Sequence, residues 1–134
     1  MLFAKKRILY IFGAYLSKFK FGFRNIYAFT FFEQACNGGD MTGCRYLGAL
    51  YGAGSGVPQD IPRSLQLYEQ ACSGGEMAGV GRVGGGCYML GAVYLGDIYD
   101  SVPKDSARAR QLFARACDAG MRLACEKMRT IQAP

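Results

Sequence analysis

Apolar positions recur along this chain at the spacing of helical faces. In IPRSLQLYEQAC, Leu65, Leu67, Tyr68, Ala71 and Cys72 mark one broad face. In SARARQLFARAC, Ala109, Leu112, Phe113, Ala116 and Cys117 do the same. Asp60 and Asp105 stand where an N-cap belongs, with Pro62 near the first turn. Gly39, Gly75 and Gly120 each follow a cysteine by three residues, the place for a left-handed C-cap. Asp40 and Glu76 then put negative charge at the start of a second helix, and Asp40 is itself a credible cap. That second helix carries Cys44, Leu47, Gly48, Leu50 and Tyr51 in one copy and Cys87, Leu90, Gly91, Val93 and Tyr94 in the next.

The elements repeat. FFEQACNGGDMTG and LYEQACSGGEMAG lie thirty-six residues apart and agree in type at almost every position. After Gly79 the second copy carries seven extra residues, VGRVGGG, before CYMLGAVY resumes the pattern of CRYLGALY. Two more extra residues before Pro103 place Cys117 forty-five beyond Cys72. A repeat of this period is one supersecondary unit that buries its apolar face only by stacking. About two and a half helix pairs are expected, a marginal stack. A glycine inside a helix costs about 1 kcal/mol relative to alanine. Its recurrence at Gly48 and Gly91 therefore predicts a close packing contact there.

Cys36 ends one predicted helix, the Gly-Gly turn reverses the chain, and Cys44 sits one turn into the antiparallel neighbour. Two such positions face each other across the hairpin at a separation that a disulfide can span.

Charge changes the picture only at the N-terminal end. Lys5, Lys6, Arg7, Lys18, Lys20 and Arg24 precede the first acidic residue, Glu33, whereas from Tyr27 onward ten basic residues meet ten acidic ones. The net charge of +6 thus sits in the head, and no basic face spreads over the body, which argues against a nucleic-acid partner. Residues 1–23 form a basic, aromatic segment of their own. MLFAKKR and the nine-residue apolar run ILYIFGAYL have the proportions of an export signal, but no small-x-small cleavage site follows. The alternatives are an upstream extension, in contact with membrane or export machinery, or a decayed first repeat. Shifted by thirty-six residues, Ile11 and Tyr15 fall on Leu47 and Tyr51.

The pattern AC-x-x-G-[DE]-x-x-x-C, then LG-x-x-Y, then G-x-GV-x-x-D resembles the Sel-1-like repeat, and more narrowly its cysteine-rich Hcp type. The resemblance covers about residues 24–134. It implies an all-α fold, a right-handed α/α superhelix (solenoid) related to tetratricopeptide arrays, with one disulfide per helix pair. The implied bonds are Cys36–Cys44, Cys72–Cys87 and Cys117–Cys125, with VGRVGGG enlarging the middle loop. The cysteine-rich branch implies an exported, periplasmic or secreted protein, and for some members penicillin binding or weak β-lactamase activity. The wider family implies an adaptor scaffold. The array departs from the pattern in lacking a clear first helix, in ending at MRTIQAP without a return helix, and in placing Met121 where the third turn should be acidic. A truncated fragment without a function of its own fits those departures.

Other chemistries find little support. The chain has no His, and no two cysteines stand closer than eight residues, which disfavours zinc. A thiol nucleophile lacks its usual basic partner. GRVGGG is followed by Cys87 and Tyr88 where a phosphate loop needs Lys and Ser or Thr. The S-x-x-K spacing of penicillin-recognising enzymes occurs at Ser17–Lys20 and Ser101–Lys104, without K-T-G or S-D-N, and the second match contains Pro103. The reading that results needs no cofactor. It is a helical-repeat scaffold that binds a protein or peptide through a concave face lined by the first helix of each pair, with Arg45, Tyr46, Tyr88 and Arg122 as candidate contacts. The alternative is an exported penicillin-binding protein with weak β-lactamase activity, whose ligand is a β-lactam or cell-wall fragment.

Overall fold

A computed structural model describes residues 24–74 and 84–131, which hold six helices and no strand. The helices are α1 (24–37), α2 (Met41–Ala53), α3 (Ile61–Gly74), α4 (Gly85–Leu95), α5 (Ser106–Asp118) and α6 (Arg122–Thr130). They form three antiparallel pairs, α1/α2, α3/α4 and α5/α6. The first pair includes the helix that its aromatic sequence obscures, and α6 completes the third. Residues 1–23, Gly75 and Glu76, and the first four residues of VGRVGGG lie outside the described residues.

Local chemistry sets the ends of the helices. The Asp40 carboxylate accepts the amides of Thr42 and Gly43, while Asp60 and Asp105 accept those of Arg63 and Arg108 at 3.0 Å. The first and third pairs turn through a Schellman closure. Gly39 has φ +92° and donates to the Cys36 carbonyl, and Asp40 donates to Ala35; Gly120, at φ +98°, and Met121 repeat this onto Cys117 and Ala116. Glycine is needed because a Cβ disfavours that left-handed conformation. Met121 offers no side-chain cap, and α6, at nine residues, is the shortest of the six described helices.

Within each pair the two helices touch backbone to backbone. Disulfides join Cys36 to Cys44, Cys72 to Cys87 and Cys117 to Cys125. The first two bonds hold Cα atoms 4.4 Å apart. A methyl group at Gly43 would lie 3.0 Å from the Cys36 amide nitrogen, and one at Gly86 would lie 2.5 Å from that of Cys72. The third pair has Ala124 at this position, fully buried, and its cysteine Cα atoms stand 4.7 Å apart. Gly86 therefore takes the role of Gly43. The end of VGRVGGG is not loop: its last two residues, Gly85 and Gly86, open α4.

Between pairs, an aromatic ring lies on a glycine. Tyr68 of α3 covers Gly48 of α2, and Phe113 of α5 covers Gly91 of α4, each ring 3.0–3.1 Å from where a methyl would be. The close neighbour predicted at these glycines is thus a ring from the next pair, joined at Gly48 by the Ser64 carbonyl. The α3 helix serves both sides of the stack. Leu67 and Ala71 pack with Cys36, Cys44 and Leu47, while Tyr68 and Cys72 join Leu90, Val93, Phe113 and Ala116.

Two outcomes test this packing. Gly86→Ala should lower stability by about 1–3 kcal/mol in urea unfolding, because backbone must move, although helix propensity alone favours alanine by about 1 kcal/mol. An unchanged or raised midpoint would refute the contact. Cys117 and Cys125 are partly exposed, whereas the other four cysteines are buried. Under mild reductant, thiol labelling and peptide mass mapping should therefore find Cys117–Cys125 opened first; earlier opening of Cys72–Cys87 would contradict its burial.

Candidate functional site

Both α3 and α5 pack against α4, and between these two first helices lies a cleft of ≈ 280 Å³. Its apolar lining comes from Cys72, Leu90 and Leu112, and its polar lining from Glu69, Ser73, Arg108, Gln111 and Arg115. The same capping that starts each helix places its arginine. Arg108 is the third residue of α5, its amide held by Asp105, and its guanidinium lies 4.3 Å above the Tyr94 ring of α4. The preceding junction has the same arrangement, with Arg63 at 6.0 Å from the Tyr51 ring.

Arg108 also crosses the cleft to Glu69, at 3.2 Å, and both side chains are about half exposed. An ion pair so open to water is worth about 0–1 kcal/mol. A ligand carboxylate can therefore take the place of Glu69 at small cost. The ring beneath Arg108 keeps the guanidinium oriented for a bidentate contact.

The structure does not gather Arg45, Tyr46, Tyr88 and Arg122 into this cleft. All four lie on second helices. Tyr46 stacks on Phe32 at 4.9 Å, with the Arg45 guanidinium 4.4 Å from its ring. Tyr88 is half-buried, edge-on to Phe113 at 5.3 Å, and packs against the core. Arg122 is exposed at the start of α6. The rim of the cleft escaped the sequence reading, although the register Arg63–Gln66 against Arg108–Gln111 was there to be read as a polar row on the first helices. Ser101 and Lys104 are exposed in the segment between α4 and α5, so no helix sets that lysine beside that serine. Ser17 and Lys20 lie outside the described residues.

A second polar group ties pairs together. Tyr99, in the lengthened loop after α4, reaches back to Ser64 of α3 with its hydroxyl 2.9 Å from Oγ, and a side chain at Gly52 of α2 would overlap that hydroxyl. Burial, and then hydrogen bonding with Tyr99, push the Tyr68 phenol far above its ordinary value. An extra aromatic in a lengthened loop was the only sequence signal for this clasp.

Comparison with known proteins follows the same lines. The Sel1 repeat model matches residues 25–40, 42–76 and 85–121, well over half of the chain. Cysteine-rich protein B of Helicobacter pylori is 29% identical, with a TM-score of 0.61 over 74% of this chain and 68% of that one. A Sel1 repeat protein from Oxalobacter formigenes is 18% identical, with a TM-score of 0.60 over 77% of this chain and 39% of that one, a likeness of fold alone. This chain therefore spans well under half the length of the Oxalobacter protein. No curated protein sequence matches the chain.

The Tyr68 phenol has a checkable consequence. Its folded value is raised, so above about pH 10 the unfolded chain loses this proton while the native state keeps it. Stability should then fall with rising pH, by at most about 1.4 kcal/mol per pH unit from this group. Urea titrations between pH 9 and pH 11 should show a shallower decline in Tyr68→Phe, which keeps the ring on Gly48. An identical slope would mean that Tyr68 ionises alike in both states.

Proposed function

We propose that this chain, which belongs to the Sel1 repeat family, is a non-enzymatic scaffold that binds a protein or peptide partner in the cleft between α3 and α5. The observation that carries the proposal is the cleft itself: apolar in its depth, with two arginines, a glutamine and a serine around one weakly bonded glutamate. Such a lining offers hydrogen bonds to peptide groups and charge to a carboxylate, around an apolar centre. Among the described residues Ser101 and Lys104 are exposed in a loop, and Ser17 and Lys20 lie outside the described residues. Three disulfides fit an oxidising compartment and hence an exported protein.

The test is selection of peptides from a random library displayed on phage, using the full oxidised chain as bait. Selected peptides should lose at least about tenfold in affinity, about 1.4 kcal/mol, against Arg108→Glu and Gln111→Ala, and should keep it against Tyr46→Ala and Arg122→Ala. The opposite pattern would move the interface to the second helices. Hydrolysis of a chromogenic cephalosporin above the buffer rate would replace the scaffold reading with the enzymatic one.

A further inference from the structure

The two junctions between first helices hold the same arginine in two settings. Arg63 of α3 and Arg108 of α5 occupy one register, each with its amide capped by the aspartate that precedes its helix. The acids in register on the preceding first helices are Glu33 and Glu69. At the first junction, however, the Arg63 guanidinium donates to Gln66 of its own helix at 3.3 Å. At the second, Arg108 reaches across to Glu69 at 3.2 Å. The stack is thus built with either partner, and joining two pairs does not require the bond between Arg108 and Glu69. Arg108 is 48% and Glu69 52% exposed, so this is an open contact that another carboxylate can enter.

We infer that the occupant of the cleft is an acidic peptide, one aspartate or glutamate of which takes Arg108 from Glu69, so that Glu69 is a built-in competitor. The inference rests on the proposed binding in this cleft and names the class of ligand. Charge complementarity points to that class: the lining carries Arg108 and Arg115 against Glu69 alone, and a Glu69 displaced into solvent leaves the cleft with an excess of positive charge. The guanidinium already lies 4.3 Å over the Tyr94 ring, which holds it ready for a planar, two-point contact with a carboxylate. Spacing fixes the neighbouring contact. Leu112 follows Arg108 by one turn, about 6 Å along α5, and with Leu90 it belongs to the apolar lining. In an extended peptide, side chains two residues apart share a face and stand about 7 Å apart. An acidic residue on Arg108 therefore sets an apolar side chain, two positions away, over Leu112 and Leu90, with the residue between them turned outward. Glu69 lowers the affinity of ligands that use Arg108 and leaves others untouched.

Peptides selected by phage display on the full oxidised chain supply the probe, synthesised with both ends blocked. An Asp or Glu with an apolar residue two positions away should recur among them, and Asn or Gln in its place should cost at least about tenfold in affinity by isothermal titration. Glu69→Gln, a near-isosteric change at an exposed position, should raise affinity for the acidic peptide about threefold and widen its preference over the amide version, with circular dichroism unchanged. Equal affinity for the acidic and amide peptides, or no gain in Glu69→Gln, overturns the inference, while sensitivity of the same peptides to Gln111→Ala would still uphold binding in the cleft. Peptides insensitive to both Arg108→Glu and Gln111→Ala overturn the cleft reading itself. A requirement for a free C-terminal carboxylate overturns the assignment to a side chain.

Discussion

Backbone contact between the two helices of a pair is the constraint on which the rest depends. With cysteine Cα atoms 4.4 Å apart, no side chain fits beside them, and the residue before the second cysteine must be glycine. The third pair shows the alternative: Ala124 is accommodated where the cysteines stand 4.7 Å apart. Each disulfide closes a short loop and contributes about 2–3 kcal/mol, chiefly by restricting the unfolded chain. In a stack where each pair touches only its neighbours, no large common core exists to supply that stability. The pair is therefore made rigid first, and stacking adds to a preformed unit.

Stacking has its own device, the ring laid on a helical glycine. Tyr68 on Gly48 and Phe113 on Gly91 bring successive pairs close. Where the ring carries a hydroxyl, the buried oxygen needs partners, and Ser64 and Tyr99 provide them. Phe113 needs no such loop. The lengthened loop after α4 thus serves a polar group of the junction before it, and Lys127 of α6 holds the base of that loop by bonding Asp97 at 2.9 Å.

Much of this was legible because the repeat presents each signal twice. The helical faces of α3 and α5, the caps at Asp40, Asp60 and Asp105, and the left-handed turns at Gly39 and Gly120 follow from local chemistry and appear in the structure where the pattern puts them. Two kinds of feature were not legible. The start of α1 is hidden by its composition: NIYAFTFF is rich in residues that favour strands, although the end of the helix beside Cys36 was legible. The cleft was hidden because it is defined by an absence of packing. Periodicity locates the residues a stack buries, whereas the exposed rows of α3 and α5 carry no signal except their own register.

Those exposed rows explain how such a fold can acquire a specific partner without losing its architecture. Positions that carry stacking hold the same residue types in both copies: Leu67 and Leu112, Tyr68 and Phe113, Ala71 and Ala116. One step around the helix the constraint disappears, and there the copies diverge, with Glu69 opposite Ala114 in register and Gln70 opposite Arg115. Arg63 and Arg108 occupy a middle ground, the same in type in both copies because the cap and the tyrosine below position them; the Arg63 guanidinium donates to Gln66, while that of Arg108 holds Glu69, a carboxylate that another can replace. A fixed arginine at each junction with variable neighbours around it is a recognition surface whose spacing is set by stacking and whose selectivity is set by residues that stacking ignores. The rigidity imposed by the disulfides then acts at the cleft as well: its walls belong to two stapled pairs, so little ordering remains to be done when a partner binds.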